Sequence, residues 1–430
     1  MSKTLKRIMA VLSVVLFGSG MFFLGFYVRN LSSPDMTSLK FVIEHYKKYY
    51  YEEEDNYVEI MANSLLDAYS KYYTAEEYEL IQKGAKGVRV GIGVTVQNRS
   101  EGVYIANVIY NSPTEVAGIT EGNYITSVKI NGGEFVSVDF STFSSMMDGI
   151  KLGDKLIIRL NGEEKEYSVD VREYTETYVS YTDGNGTYRF TDGGGKTLSL
   201  KQFKYDLTEQ LPTDTAYIKY KSFNGTSNNL YGSAKQIQTV LNKFKEDGKK
   251  KLILDLRGNG GGFMDIMCEV CSFFIGVNNG AKPLVSRAIY KDGKVDKFNS
   301  TAVKYGDYGF EKIIILADSG TASASEAFIG ACLDYDYKNI VRVVLSQRQT
   351  ADGFVYRTYG KGIMQTTFEN VMGGDAIKLT TAKIYWPKSD ISIHEVGITK
   401  NLTVFKDKII EAPYIENADY ELIAGLSLLN

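Results

Sequence analysis

Two stretches constrain this chain more than any other. "KKLILDLRG" (250–258) and "KIIILADS" (312–319) are continuous apolar runs, too short for helices and without the alternation of a strand that keeps one face wet. Such runs suit strands buried on both faces, as in a parallel sheet covered by helices. Each is followed by small residues and then a helical pattern, "DIMCEVCSFFIG" (265–276) and "ASEAFIGACLDY" (324–335). Upstream, the strand-like "TAYIKYKSF" precedes the amphipathic "LYGSAKQIQTVLNKFKEDG". This alternation predicts an α/β core. In such cores ligands collect beyond the carboxyl ends of the strands. Both "RGNGGG" (257–262) and "GTASAS" (320–325) leave a strand at that edge, so the two loops are expected to meet.

The amino terminus has a different character. "IMAVLSVVLFGSGMFFLGFYV" (8–28) is uncharged, apolar and long enough to span a bilayer, and it follows Lys3, Lys6 and Arg7. Positive-inside bias predicts a single-pass cell-membrane anchor with everything after Arg29 on the extracytoplasmic side. The alternative is a cleaved signal peptide, although no small-residue cleavage motif follows the run. Residues 38–73 then read as two tyrosine-rich helices, with His45 on an amphipathic face.

From about Gly84 the texture turns to short β-type runs broken by Gly and Asn. "NSPTEVAGITEGNYITSVKING" (111–132) joins a short helix to a turn and a strand, and "STFSSMMDGIKLGDKL" (141–156) supplies a second helix. These segments resemble the PDZ domain, with "VGIGV" at Val90, Gly91, Ile92, Gly93 and Val94 in the place of its carboxylate-binding loop. Successive backbone N–H groups in a glycine-rich turn can cradle a chain-terminal carboxylate, while an exposed strand edge takes the peptide as an added strand.

In the same order, "LILDLRGNGGG", "ILADSGTASASEAF", "YGKGIMQ" and "LTTAKIYWP" resemble the carboxyl-terminal processing peptidases, the tail-specific serine proteases of family S41. "DAYSKYYTAEEYE" (67–79) extends the resemblance from about residue 36 to the end. The implied fold is multidomain α+β: a membrane anchor (1–30), a helical region (31–83), a PDZ β-module (84–172), an α/β peptidase core of the ClpP/crotonase-like kind (173–413) and a C-terminal helix (414–430), a candidate for dimer formation. The implied substrates are proteins with free carboxyl-terminal tails. The implied nucleophile is Ser323, with Thr321 where the family has Ser and Ser325 as scaffold. The base is Lys361, followed four residues later by Gln365, and the oxyanion hole is Gly261 with Ala324. Asp334 is implied to support structure.

The residue types suit that chemistry. A serine hydroxyl is a weak nucleophile until a neighbour takes its proton, and an amine can do so only when neutral, which burial favours. Gln365 is uncharged and so orients the amine without favouring its ammonium form. The chain departs from the family between Asp334 and Lys361, where "DYKNIVRVVLSQRQTADGFVYRTYG" holds roughly a dozen extra residues. Two readings therefore stand: a membrane-anchored Ser/Lys endopeptidase, or a catalytically impaired PDZ-based peptide receptor. His394 is the alternative base, and Ser323 as a plain helix cap is the bland one.

Other classes are excluded by what is missing. A net charge of -3 without basic clusters gives no footprint for nucleic acid. "RGNGGG" lacks the GK[ST] ending of a phosphate loop, and "HEVGI" offers one histidine where a zinc peptidase motif needs two. No cofactor or metal is implied. The three cysteines, Cys268, Cys271 and Cys332, read as small buried residues.

Overall fold

The computed structural model describes residues 34–49, 57–85, 88–99, 102–109, 112–182, 187–190, 195–198, 211–225, 232–275, 280–302, 308–350, 353–416 and 418–429. The expected anchor at 8–28 lies outside them. Among the described residues no helix is long and apolar enough to cross a membrane. The chain divides into two compact units after Leu65. The first contains helices α1 (Pro34–Tyr49) and α2 (Tyr57–Ser64), and His45 lies on α1 with Nδ1 2.9 Å from Phe41 O.

The second unit opens with a departure from the helical reading of residues 38–73. The helix stops at Ser64, and β1 (Lys71–Tyr73) is a strand followed by α3 (Ala75–Ala85). Tyrosines suit a half-buried pleated surface, and pairing with a distant strand offsets the helical pattern of the local sequence.

The β-module follows. Strand β2 (Val88–Gly91) leads to β3 (Val94–Arg99), β4 (Gly102–Val108), the short helix α4 (Pro113–Val116), β5 (Tyr124–Ile130) and β6 (Val136–Ser137). Helix α5 (Phe140–Asp148), β7 (Lys155–Leu160) and β8 (Glu166–Asp170) complete it. Its sheet runs β3-β4-β5-β7-β8, with β6 on β5, so β3 is an edge strand. Alternating residues such as Val103, Ile105, Leu156 and Ile158 build an apolar cluster distinct from that of the large sheet that follows. Strand β9 (Arg172–Thr175) pairs with β2 and carries the chain onward.

The core is an eight-stranded sheet. Strands β10 (Val179–Thr182), β11 (Thr187–Phe190) and β12 (Gly195–Leu198) form an antiparallel edge. Within the glycine-rich stretch, Thr187–Phe190 and Gly195–Leu198 therefore pair as strands. Five parallel strands follow in space, namely β13 (Thr215–Tyr220), β14 (Lys251–Asp255), β17 (Lys312–Ala317), β18 (Val341–Leu345) and β23 (Ile409–Glu411). Between them in sequence come α6 (Ser233–Glu246), α7 (Met264–Phe274), the strands β15 (Leu284–Tyr290) and β16 (Val295–Asn299), and α8 (Ala324–Asp334). The short strands β19 (Gln347–Thr350) and β20 (Gly353–Tyr356) precede β21 (Ile363–Glu369) and β22 (Ala376–Tyr385).

The apolar runs are explained by burial on both faces. Leu252, Leu254, Ile313 and Ile315 join one cluster, with Ile237, Leu241 and Phe244 of α6 and Phe328 of α8. Ile253, Ile314, Leu316 and Val344 face the other way, onto Leu422 and Leu429 at the C-terminal helix α9 (Tyr420–Ser427). Each such buried side chain contributes about 1.5–3 kcal/mol. The candidate dimer helix thus spends these apolar residues on its own sheet. Arg257 clamps it there, 2.7 Å from both Asp419 and Asp255, and Lys219 lies 3.0 Å from Asp255. Burial alone would raise the Asp255 carboxyl, but Lys219 and Arg257 hold it well below the usual carboxylate range.

Strands β1, β22, β15 and β16 make a second, antiparallel sheet, with β21 on β22. Between Asp334 and Lys361 the chain forms core strand β18 and the antiparallel pair β19–β20. All three cysteines are buried and free.

Candidate active site

The two small-residue loops meet at the carboxyl edge of the parallel strands. Asn259, fully buried, is the clip: its carbonyl accepts from Ala322 N (3.0 Å) and Ser325 Oγ (2.9 Å), and its amide donates to Tyr220 O (2.9 Å). Gly261 sits against the serine turn. A Cβ there would lie 2.8 Å from Ala322 O and 2.9 Å from Ser323 Cβ, and its φ of +99° is one that glycine alone adopts freely.

This packing distinguishes the three hydroxyls of the run. Thr321 Oγ1 donates to Leu256 O at 2.9 Å and Ser325 Oγ to Asn259 O, both fully buried. Ser323, partly exposed at the N-cap of α8, donates to no acceptor among the described residues. Its backbone is at φ +58°, ψ −119°. A non-glycine residue there costs about 1–3 kcal/mol and persists only where the surroundings enforce it.

Glu326 enforces it. Its carboxylate accepts from Ser323 N and Lys361 N, each at 2.9 Å on Oε2, and from Gly360 N (2.8 Å) and Thr358 Oγ1 on Oε1. One carboxylate oxygen therefore ties the serine turn to the lysine loop. Tyr359 N adds a 3.0 Å bond to Thr321 O. Burial pushes the Glu326 carboxyl up, yet all four partners are donors, so the site is built around the ionised form. The β19–β20 pair lies in sequence between Glu326 and its partners Thr358, Gly360 and Lys361, yet these contacts form. Glu326 was missed in the sequence reading, although Ser323-x-x-Glu326 is a capping-box spacing that could have flagged it. Asn259 carried no comparable signal.

Lys361 is half-buried. Desolvation and then Lys378 lower its pKa, against the opposing pull of Asp67 and Glu326. Among the described residues its Nζ makes no hydrogen bond to Ser323 Oγ; it lies 5.2 Å from the centre of the Tyr69 ring. The Gln365 amide donates to Thr380 Oγ1 at 3.2 Å, across the β21–β22 pair, instead of reaching Lys361. The Gly261 N–H donates to Asn259 Oδ1 at 3.0 Å, whereas Ala324 N, first in its helix, has no intrahelical acceptor. His394 makes no bond to Ser323, and its buried Nδ1 has no hydrogen-bond partner among the described residues. Asp334 Oδ2 accepts from Lys388 N and Ser389 N at 2.8 and 3.1 Å. The three serine-loop hydroxyls, the Gly261 turn and the Lys361 loop are thus brought together, while Val90–Val94 belong to the β-module.

A profile of peptidase family S41 matches residues 214–404, the stretch that holds Asn259, Gly261, Ser323, Glu326, Lys361 and Gln365. The match marks this stretch as an S41 peptidase domain. It is 26% identical over 419 residues to a Staphylococcus aureus (strain COL) protein named "Probable CtpA-like serine protease", covering 95% of this chain and 73% of that one. A solved structure from Bacteroides fragilis NCTC 9343, named "Putative S41 protease", superposes with a TM-score of 0.52 at 15% identity, over 88% of this chain and 90% of that one, and so shares the fold. A photosystem II D1 C-terminal processing protease aligns over 93% of this chain and 92% of that one, at 17% identity and a TM-score of 0.47. The chain is thus similar to CtpA-like serine proteases, and its multidomain α+β fold contains an S41 peptidase domain.

In the β-module, Gly93 is at φ +77°, and a Cβ on it would lie 2.1 Å from Ser112 Cβ. Neither Ile92 N–H nor Gly93 N–H donates to an acceptor among the described residues. Val94 and Val96 of β3 and Met146 and Met147 of α5 pack, partly buried, on the module's core.

Proposed function

We propose that this S41 peptidase is an endopeptidase in which the β-module captures the carboxyl-terminal tail of a protein substrate and Ser323 cleaves upstream, with Lys361 as base. The observation that carries the reading is the Glu326 oxygen shared by the Ser323 and Lys361 backbones, beside a desolvated amine. Neutral Lys361 takes the Ser323 proton as Oγ bonds to the scissile carbonyl carbon. The resulting oxyanion is met by Ala324 N–H and, once Asn259 Oδ1 shares or yields it, Gly261 N–H. The lysine ammonium then protonates the leaving amine. A water, deprotonated by the same amine, releases the acyl group and restores the hydroxyl. Gln365 acts through Thr380 on the wall beside the lysine.

Tail capture rests on the free N–H groups at Ile92 and Gly93 and on the unpaired edge of β3, which together suit a carboxylate and an added strand. The apolar run at 8–28 would hold the enzyme in the membrane with its catalytic part extracytoplasmic.

A second reading, a peptide receptor without catalysis, draws on the missing Ser323–Lys361 hydrogen bond. Such bonds are often long before substrate arrives, so this observation weighs less than the shared anchor. A fluorophosphonate probe decides. Labelling of the wild type that disappears in Ser323→Ala is the expected result; no labelling of the wild type favours the receptor.

A further inference from the structure

The mechanism above leaves Lys361 with one unexplained neighbour, the segment that begins the second unit. Strand β1 adds antiparallel to β22, placing Lys71, Tyr72 and Tyr73 opposite Lys378, Ile377 and Ala376. Just before it, Asp67 Oδ1 accepts from Tyr69 N (3.0 Å) and Ser70 N (2.8 Å), closing a tight turn. Ser70 Oγ accepts from Thr380 N at 2.9 Å, which docks the turn on β22 beside Gln365. The turn points the Tyr69 ring at the Lys361 amine, 5.2 Å from the ring centre, and its hydroxyl lies 3.3 Å from that of Tyr359 in the lysine loop. Nearly 300 residues separate the segment from the lysine.

We propose that Tyr69, held by the Asp67 turn, is a positioning residue that covers the Lys361 amine with its ring and thereby sets the pH at which Ser323 is activated. This rests on the Ser/Lys reading and deepens it. A long flexible lysine needs a wall to keep its amine near the serine. An aromatic face supplies one: it excludes water, which favours the neutral amine, and it attracts the ammonium formed when the serine proton is taken. The other titratable groups around the amine are Lys378 on β22, Asp67, Glu326 on α8, Tyr359 on its own loop, and His394 and Glu395 in the turn packed on Gly360 and Gly362. Tyr69 itself stays neutral, since its bond to Tyr359 and burial push its phenol up to about 12.

Desolvation is the largest cause of the lowered Lys361 pKa, and the ring is part of what covers the amine. Tyr69→Ala should therefore return the amine towards ordinary lysine. The test is the rate of fluorophosphonate inactivation against pH, on the full chain. Tyr69→Ala should move the acid limb up by about one pH unit and slow inactivation at neutral pH by roughly tenfold. Tyr69→Phe keeps the ring and should leave the limb where it is. Tyr69→Leu keeps the cover but loses the ring face, and its limb should move down. A purely structural tyrosine would lower the plateau in all three without moving the limb, and that result overturns the inference. If Tyr69→Ala does not fold, coincident limbs in Phe and Leu overturn it equally. Lys361→Ala separates the two levels: full reactivity there defeats the Ser/Lys reading, whereas an inert Lys361→Ala with an unmoved Tyr69→Ala limb defeats only the role of Tyr69.

Discussion

Glu326→Gln isolates the anchor that joins serine and lysine. The amide is nearly the same size, so no cavity opens. Its NH2 group will turn towards Thr358, whose hydroxyl can rotate to accept, because the other oxygen faces two backbone donors. Gly360 N–H, which donates at 2.8 Å to the oxygen that the NH2 group replaces, then loses its acceptor. An unsatisfied buried donor costs about 1–3 kcal/mol, and the two bonds to Ser323 and Lys361 lose their charge assistance, about 0.5–1 kcal/mol each. The loss is about 3 kcal/mol, comparable with the strain at Ser323 that these bonds restrain. If it appears as relaxation of the Ser323 turn, the plateau rate falls about 100-fold. The charge of Glu326 also favours the Lys361 ammonium, so its removal lowers the lysine pKa further. The residual activity should then show an acid limb at lower pH beneath a lower plateau. Fluorophosphonate inactivation against pH, with thermal unfolding in parallel, measures both. A plateau within about threefold of wild type, with unchanged unfolding, would refute the reasoning.

Ser323→Ala and Lys361→Ala should each abolish peptide cleavage, and the double variant should be no worse than either, because the two groups act as one unit. Wild-type acylation should rise with pH through a single group below ordinary lysine, and His394→Gln should keep that limb; its loss would move the base to His394. Gly93→Val, which cannot fit beside Ser112, should slow cleavage of tailed peptides, as amidation of the peptide terminus should, while hydrolysis of a small activated ester continues; equal rates for acid and amide peptides would count against tail capture. Arg257→Met should lower stability by about 3 kcal/mol, since it strips the buried Asp255 of one partner. With its folded pKa depressed, Asp255 stabilises the wild type above the unfolded carboxylate value of about 4, and that contribution is lost as pH falls below it. Melting temperatures between pH 7 and 3 that match in the two proteins would exclude the anchor.

What the sequence determined by itself was whatever is local and periodic. The two-sided apolar runs at 252–256 and 313–317 required a covered parallel sheet, and their order with the helices put both small-residue loops at one edge. The glycines at Gly93 and Gly261 announced close approach. Tertiary structure decided the rest, because proximity between distant segments leaves no period to read. Only the packed loops show that Thr321 and Ser325 spend their hydroxyls inside while Ser323 keeps its own to donate. Only the Glu326 anchor shows that the Lys361 backbone is tied to the serine turn, with the β19–β20 pair standing between α8 and the lysine in sequence. Gln365 turns to Thr380, and Gly261 N–H to Asn259, because the nearest acceptor in space wins over the one suggested by spacing. The stretch around Tyr69, helical by pattern, became the wall of the lysine site because an open strand edge on β22 offered backbone hydrogen bonds that an isolated turn of helix could not match.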